Sequence, residues 1–397
     1  MKRRGAQGMR QASTPEPVCL IVSAGLWSIA GRWTILVLVL CILAGGCRDE
    51  TPIKVGFIAG TSGKVADLGI SGRDAVQMLV EEYNRNGGIN GQRLDLVIKD
   101  DQQEPEIARK SVQELIDEGV VAIIGPMTSD MAMAITPVLD KHQIPAVSPT
   151  ATTQHLSGQI DYFYRVSSTT REYATKSAAY HIRATEIRKI AVVFDKDNSS
   201  FTENWLNIFK QYFVSNGGEI VAEIGFEKQQ KRSFIEIALE LLSHKADGIL
   251  IIANSMDSAL FCQQIRKVDT DIPISLSDWG ATERLLELGG RAIEGTLVVQ
   301  TFDRMYSGEK YQAFRKEYFN TFKREPGFPG VYAYDAAQVV FTALEKQKKN
   351  HRLKETLDSI GQFPGLQGDI RFDEFGDVQR SKANISVVRN RKFIVLD

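Results

Sequence analysis

From Ile53 onward, short apolar runs alternate with longer stretches whose apolar residues recur every three or four positions. A period of two marks a strand and a period of 3.6 a helix. Regular alternation of the two restricts the fold to parallel sheets with right-handed crossovers. Lys54–Ala59 reads as the first strand. A Gly-rich loop follows, then a helix from about Gly72 to Asn86 with Val76, Leu79, Val80 and Tyr83 on one face. Ser71 and Asp74 have capping-box spacing at its start, and Gly87-Gly88 closes its far end. Leu94–Lys99 is the next strand. Pro105 opens a helix whose Ala108, Val112, Leu115 and Ile116 point one way, ended by Gly119. Strand Val120–Ile124, helix Ser129–Lys141 and strand Pro145–Ser148 come next.

The pattern restarts after Arg165. Helices are expected at 171–184, 201–215, 233–243 and 256–267, and strands at Lys189–Phe194, Glu219–Ile224, Gly248–Ala253 and Pro273–Leu276. Helices at about 309–323 and 332–347 follow, and Ile385–Arg389 with Lys392–Val395 reads as a hairpin around Asn390-Arg391. No low-complexity linker separates the halves. Two α/β lobes, joined by several crossing strands around a hinged cleft, are the expected architecture.

The first 46 residues stand outside this pattern. They hold five basic side chains (Lys2, Arg3, Arg4, Arg10, Arg32) and one acid, Glu16. Trp33–Gly46 is free of charge, and as a helix would span about 21 Å against the roughly 30 Å of a hydrocarbon core. A basic flank, a short apolar core and small residues before a break describe a secretory signal. An earlier apolar run, Val18–Gly31, is set apart by Arg32, which leaves Met9 as an alternative start. Leu43-Ala44-Gly45-Gly46-Cys47 resembles a bacterial lipobox, with Ala44 where Leu is usual. Lipidation of Cys47 and an uncut anchor with Cys41 and Cys47 as buried thiols are the two readings; both place the body outside the cytoplasmic membrane. Cys47–Ile53 would serve as a tether.

Removing those residues leaves 43 basic and 48 acidic side chains, a net charge of −5. A mildly acidic body is not a nucleic-acid binder. Cys262 is then the one remaining cysteine beyond the tether. It sits in the apolar-periodic segment Ala259–Ile265, which favours a buried thiol over a reactive one.

The catalytic motifs fail one by one. Gly60-Thr61-Ser62-Gly63-Lys64-Val65 looks like a phosphate loop, but Ile58 and Val65 stand where Gly and Ser or Thr are needed. No G-x-S-x-G elbow occurs. The five His are scattered, without helical i, i+4 spacing or Cys partners, which argues against a metal site. Asp100-Asp101 ends a strand and reads first as a turn element, second as an acid–base pair. No cofactor is implied. Two loops at strand C-terminal ends do offer chemistry, because open parallel sheets bind ligands there. Gly125–Ser129 opens a helix whose amides, with the Ser129 hydroxyl, can hold a carboxylate. Pro149-Thr150-Ala151-Thr152 brings further amides and hydroxyls. Helix capping alone explains both hydroxyls equally well.

Taken together and in order, Asn86–Asp101, Ile123–Ser129, Ile144–Thr152, Tyr162–Val166, Tyr332–Gln338 and Phe372–Asp377 resemble the periplasmic solute-binding proteins of ABC importers, of the branched-chain amino acid type. The resemblance covers about Lys54 to Val395. It implies a type I, Venus-flytrap fold with three crossovers, lobe 1 spanning 52–167 and 300–372 and lobe 2 spanning 168–299 and 373–397. It implies that Ser129 and the Thr152 hydroxyl and amide hold the ligand carboxylate, beside Ala151, and that the Thr150 carbonyl accepts from its ammonium. Phe201 falls where relatives cover the ligand from lobe 2, or is a core residue in line with Trp205 and Phe209.

Departures from the family pattern bear on the ligand. An aromatic of the first loop is Leu68 here, and a later one is Asn254 or Ser255. The acid that pairs with the ammonium aligns near Trp279, with Asp278 one position away. Asp278 in the site keeps an amino acid as ligand; Trp279 alone would suit a carboxylate without an amine, since a buried ammonium needs an anionic partner. A disulfide of some relatives would fall at Gln103 and Thr128, both partners being absent together. The expected role is a monomeric, non-enzymatic receptor that delivers a small carboxylate-bearing solute, an apolar amino acid first among them, to a membrane ABC permease. A sensory receptor of the same fold is the alternative; an extracellular amidase or esterase lacks a nucleophile–base pair.

Overall fold

The structure, a computed structural model, describes residues 51–229, 231–379 and 383–396. The signal segment, the lipobox with Cys47 and the first part of the tether lie outside the described residues.

The first sheet is built from β1 (Ile53–Ala59), β2 (Leu94–Asp100), β3 (Ile123–Ile124), β4 (Ala146–Ser148) and β5 (Phe163–Arg165), all parallel, in the order β2-β1-β3-β4-β5. Val55, Phe57, Ile58 and Ala59 are all fully buried, as a central parallel strand covered on both faces requires. One face is covered by α1 (Ala66–Arg85) and by α10 (Gly327–Lys346), a late helix that returns to pack on α1. The other is covered by α2 (Pro105–Asp117) and α3 (Ser129–His142) through Val112, Leu115, Met131 and Ile135.

The second sheet comprises β6 (Lys189–Asp195), β7 (Glu219–Phe226), β8 (Gly248–Ile252), β9 (Ile274–Leu276), β10 (Leu297–Gln300), β11 (Asn384–Arg389) and β12 (Lys392–Val395). Its order is β7-β6-β8-β9-β10-β11-β12, so its first five strands repeat the order of the first sheet. β11 and β12 are antiparallel and turn through Asn390 and Arg391, both left-handed (φ 50° and 58°), as a two-residue hairpin demands. Helices α4 (Thr170–Ala184) and α5 (Ser199–Ser215) cover one face; α6 (Phe234–Ser243), α7 (Ser255–Val268) and α8 (Glu283–Gly289) cover the other. Two doubly wound α/β lobes result. Helices α9 (Glu309–Phe322) and α11 (Leu353–Ser359) complete the described set, and no described helix is long and apolar enough to cross a membrane.

The chain passes between the sheets three times: after β5, after β10, and between α11 and β11. Arg165, fully buried at the first passage, ties it to the third. Its Nε donates to Asp377 Oδ1 at 2.7 Å, with further bonds to the Thr153 carbonyl and Ser157 Oγ, both 2.6 Å. At the second passage Arg304 pairs with Glu283 (2.7 Å) and lies 4.1 Å over the Phe393 ring.

Several boundaries differ from expectation. α1 begins at Ala66, not Gly72, so Ser71 and Asp74 lie inside it and form no capping box. Ser71 Oγ instead donates to the Pro326 carbonyl at 2.5 Å, and Asp74 pairs with Arg73 and Arg324. Gly69, which reads as a loop signal, is a packing residue: a Cβ there would lie 2.2 Å from the Gly60 carbonyl oxygen. α10 likewise starts at Gly327, since Pro329 stands in the first turn, where its missing N–H costs nothing. β3 shrinks to two residues, and β5, α8, β10 and α11 carry too little periodicity to be expected.

Candidate functional site

In both lobes the strand order reverses beside the first strand, between β1 and β3 and again between β6 and β8. Open sheets leave a crevice at the C-terminal ends of such strands, and here the two crevices face each other. Gly125 makes this possible on the first lobe. Its φ of 119° is open to glycine, and a Cβ would meet the Ile58 carbonyl oxygen at 2.1 Å. The chain therefore turns tightly over β1 into α3.

Polar bonds join the lobes across the crevice. The N-termini of α3 and α5 cap each other: Asp130 N donates to Asn198 Oδ1 (3.0 Å), while the Asp130 carboxylate accepts from Ser199 N (3.0 Å) and Ser200 N (2.8 Å). One carboxylate thus sits between two positive helix ends. Asp67 Oδ2 accepts from Ser255 Oγ and Thr282 Oγ1, both at 2.7 Å. Lys64 reaches the fully buried Asp257 at 3.2 Å, so the residue resembling a phosphate-loop lysine serves as an interlobe cation.

Between these bonds lie two cavities that share Thr150, Asp278 and Phe328. The outer cavity, about 20 Å³, is walled by Leu68, Met127, Phe201 and Trp279, with Ser129 and Asn198 at its edge. The hinge-side cavity, also about 20 Å³, is walled by Thr152, Ser167, Tyr173, Thr301, Phe302 and Tyr332. Each has room for about one water, well below a small-molecule pocket of about 300 Å³, so a solute needs the lobes further apart than they stand here. A wider groove beside α1 and α8 holds about 530 Å³, but its Arg284, Glu283, Arg324 and Glu325 are already ion-paired within the protein.

Asp278 is the electrostatic centre of the pair. Trp205 Nε1 donates to its Oδ1 at 3.0 Å, and among the described residues no cation pairs with it. Burial pushes its carboxyl up to about 7, against the opposing pull of the indole N–H. Asp278 and Trp279 share one 3₁₀ turn, Asp278–Gly280, so both line the outer cavity and only Asp278 reaches the hinge-side one as well.

The other residues singled out in the sequence are placed as follows. Ser129 lines the outer cavity; its Oγ accepts from the amides of Thr152 and Thr153, both at 3.3 Å, which leaves its own proton to donate. Thr150 lines both cavities, and its hydroxyl is turned to the Met127 carbonyl at 2.5 Å. The Thr152 hydroxyl meets Thr170 Oγ1 at 2.9 Å, so both Thr152 groups expected to meet a carboxylate have partners inside the protein. Ala151 lines neither cavity: its amide donates to Ser148 Oγ (3.1 Å) and its methyl is packed with Ala132, Leu156 and Phe163. Phe201 crosses Trp279 edge-on with ring centroids 5.6 Å apart, while Trp205, Phe209 and Phe213 stack behind it.

Asp100 and Asp101 accept from the amides of Thr61, Gln102 and Gln103 as turn elements. Cys262 is buried, and burial raises its thiol to about 12. Sequence reasoning missed Asp67, Asp130, Ser167 and Tyr173. They act across the crevice or on a crossing segment, where no local pattern announces them.

With the geometry in place, a family model and likenesses to three known proteins bear on it. A family model described as "Periplasmic binding protein" matches residues 52–389. The Leu/Ile/Val-binding protein BraC3 of Rhizobium johnstonii is 23% identical over 349 residues, covering 87% of this chain and 94% of that one. Among solved structures, the branched-chain amino acid transporter substrate-binding protein LivJ of Streptococcus pneumoniae, in complex with isoleucine, superposes with a TM-score of 0.80 at 24% identity, over 87% of this chain and 99% of that one. A solute-binding protein of an ABC transporter from R. palustris, in complex with benzoate, superposes at 0.79 with 20% identity, over 87% and 95%. The match over most of the chain, joined to two doubly wound lobes facing each other across a crevice, shows that the protein belongs to the periplasmic binding protein family and has its type I fold.

Proposed function

We propose that this protein captures a small carboxylate-bearing solute between its lobes and delivers it to an ABC permease in the membrane. An amino acid of the branched-chain type is the preferred ligand. The observation that carries the reading is Asp278, an acid of the second lobe without a cationic partner among the described residues, set against the Ser129 and Thr150 loops of the first. A ligand ammonium at Asp278 supplies the missing counter-charge, its carboxylate takes the Ser129 proton, and an apolar side chain fills the space between Leu68, Phe201 and Trp279. Every polar group of such a ligand is then paired, which is the condition for selective burial. The complexes of the similar proteins with isoleucine and with benzoate support either ligand class for this fold, and Asp278 favours the one with an amine.

The three passages of the chain support lobe limits of 52–167 with 300–372, and 168–299 with 373–397. No reaction is assigned to the site, and the receptor acts as a monomer. The Leu43–Cys47 stretch supports a lipid anchor at Cys47, which would keep the receptor near its permease. A thermal-shift screen with L-leucine, L-isoleucine, L-valine and benzoate tests the reading: a ligand at about 100 times its Kd adds about 2.7 kcal/mol of stability. No shift with any of them, followed by no binding in calorimetry, refutes it.

A further inference from the structure

The helices of a parallel α/β lobe run back against its strands and end where the strands begin, on the side away from the crevice. In the first lobe that end gathers positive charge. α10 starts beside the cavities at Phe328 and ends, about 30 Å away by helical rise, at Lys346. The stretch Lys346–Arg352 holds no acid, and its Lys346, Lys348, Lys349, His351 and Arg352 are all exposed. Arg352 Nη1 donates to Gln143 Oε1 at 2.6 Å, which brings Lys141 of α3 to the same end. Among the described residues, neither these lysines nor Arg352 pairs with a carboxylate. Helix dipoles account for Lys141 and Lys346, which stand in last turns. They do not account for Lys348 and Lys349, beyond the helix, or for Arg352, which precedes α11 where a cation is disfavoured. The chain also enters the body here. Gln92 Nε2 donates to the Thr51 carbonyl (3.2 Å) and Asn90 Nδ2 to the Glu345 carbonyl (3.4 Å), so one turn joins the start of the body to the basic stretch. Cys47 lies within about 14 Å of Thr51 even at full extension.

We infer that this end of the first lobe is a membrane-facing surface that binds anionic lipid headgroups. The inference rests on the reading of the N-terminal segment as a membrane anchor and goes beyond it. A lipid on Cys47 and an uncut Trp33–Gly46 segment both keep this end within reach of a bilayer. The body as a whole is mildly acidic, but charges more than about 8 Å apart are screened at physiological salt, so the local stretch decides the contact. An anchor at one point leaves the body free to turn, and a polybasic face beside it fixes the orientation. Each basic side chain at an anionic surface favours binding about fivefold, so Lys348, Lys349 and Arg352 together favour it on the order of 100-fold. Seated on this end, the receptor holds its crevice about 30 Å from the headgroups, open to dissolved solute.

Lysine acetylation by an amine-reactive ester, read by mass spectrometry, tests this on the purified full chain reconstituted with vesicles of phosphatidylcholine, alone or with about one-third phosphatidylglycerol. At about 0.1 M salt, Lys141, Lys346, Lys348 and Lys349 should react at least about tenfold more slowly on the anionic vesicles, and about 1 M salt should abolish the difference. Lys267, near the end of α7 in the second lobe, should react equally on both. Lys348→Glu, Lys349→Glu and Arg352→Glu together should remove the protection of Lys141 and Lys346. The three side chains are exposed, so the melting temperature should not fall. Equal rates on the two kinds of vesicle, protection that persists in the charge-reversed chain, or the same protection by inorganic phosphate without vesicles overturns the inference. The anchor is read separately, by sedimentation with the neutral vesicles. A chain that stays in solution there refutes the anchor, and its capture by anionic vesicles, lost on charge reversal, still supports the basic face.

Discussion

The charge state of Asp278 gives the most direct handle on the site. Its carboxyl is pushed up to about 7 by burial, and among the described residues the Trp205 indole is its one hydrogen-bond donor from another residue. An ammonium-bearing ligand pairs with the ionised form, so binding competes with protonation. At about pH 5 roughly 1% of Asp278 is ionised, which weakens an amino acid by about 100-fold against its high-pH limit. At about pH 8 the penalty has vanished. A deaminated analogue such as 4-methylpentanoate should show the opposite trend between about pH 8 and 6, because two carboxylates repel at high pH.

Stability without ligand moves with the opposite sign. The folded-state pKa lies above the unfolded value of about 3.9, so the folded chain holds the proton more tightly. Asp278 is neutral in its effect below about pH 4 and costs increasingly more as pH rises to about 7, at most about 4 kcal/mol. Asp278→Asn removes that cost. Calorimetry with L-leucine across about pH 5 to 8, on wild type and Asp278→Asn, reads the first effect; melting curves of both without ligand read the second. A Kd for L-leucine that stays flat across this range in the wild type refutes the assignment of Asp278 as the ammonium partner.

Other perturbations report on separate parts of the assembly. Ser129→Ala leaves the amides of Thr152 and Thr153 without their shared acceptor, so urea unfolding should show a loss of about 1–3 kcal/mol, and Ser129→Ala with Thr152→Ala should abolish carboxylate binding in calorimetry; retained affinity would reject the role of this loop. Asp130→Ala removes the shared cap of α3 and α5, worth about 1–2 kcal/mol, and should raise the radius of gyration in small-angle scattering while weakening ligand binding several-fold; identical scattering and affinity would show that the cap does not hold the lobes together. Cys47→Ser should move the protein from the membrane to the soluble fraction on cell fractionation, and continued membrane association would favour an uncut anchor.

The strands were legible because central parallel strands are apolar on both faces: Lys54–Ala59 and Gly248–Ala253 differ from the structure by one residue at an end. Helix starts were less so, for a physical reason seen at Gly69 and Pro329. Residues that discourage a helix in isolation are tolerated where packing needs a missing Cβ or where a first turn needs no N–H. The donor loops were legible as well, since Ser129 follows β3, at the reversal of the sheet order, and Thr150 follows its neighbour β4. What the sequence left open was the choice between Asp278 and Trp279. A one-residue offset matters on a strand, where it reverses the face, but the 3₁₀ turn at Asp278–Gly280 brings both side chains to one cavity. Asp67 and Asp130 were invisible because their partners lie 68 to 215 residues away in sequence, in the other lobe, and Ser167 because no local pattern marks it.

The contacts that join the lobes differ in kind from the group that the ligand would complete, and the difference bears on how closure couples to binding. Asp130, Asp67 and Lys64 exchange water for protein partners when the lobes meet, and exchange back when they part. Such swaps are modest in free energy, about 1 kcal/mol each. They fix the geometry in which the lobes meet and bias closure whether or not a ligand is present. Asp278 is the exception, because closure encloses its carboxyl between Phe328, Trp279 and Thr150 with no cation gained in return. Closing alone therefore carries a charge-burial penalty, and an ammonium brought by the ligand removes it. A ligand shifts a two-state equilibrium only by its preference for one state. The lifted penalty at Asp278 is a preference of that kind, absent for a solute without an amine. Asp278→Asn should accordingly let the lobes close with less dependence on the ligand, seen as a smaller contraction in scattering when L-leucine is added, and an undiminished contraction would separate closure from this carboxylate.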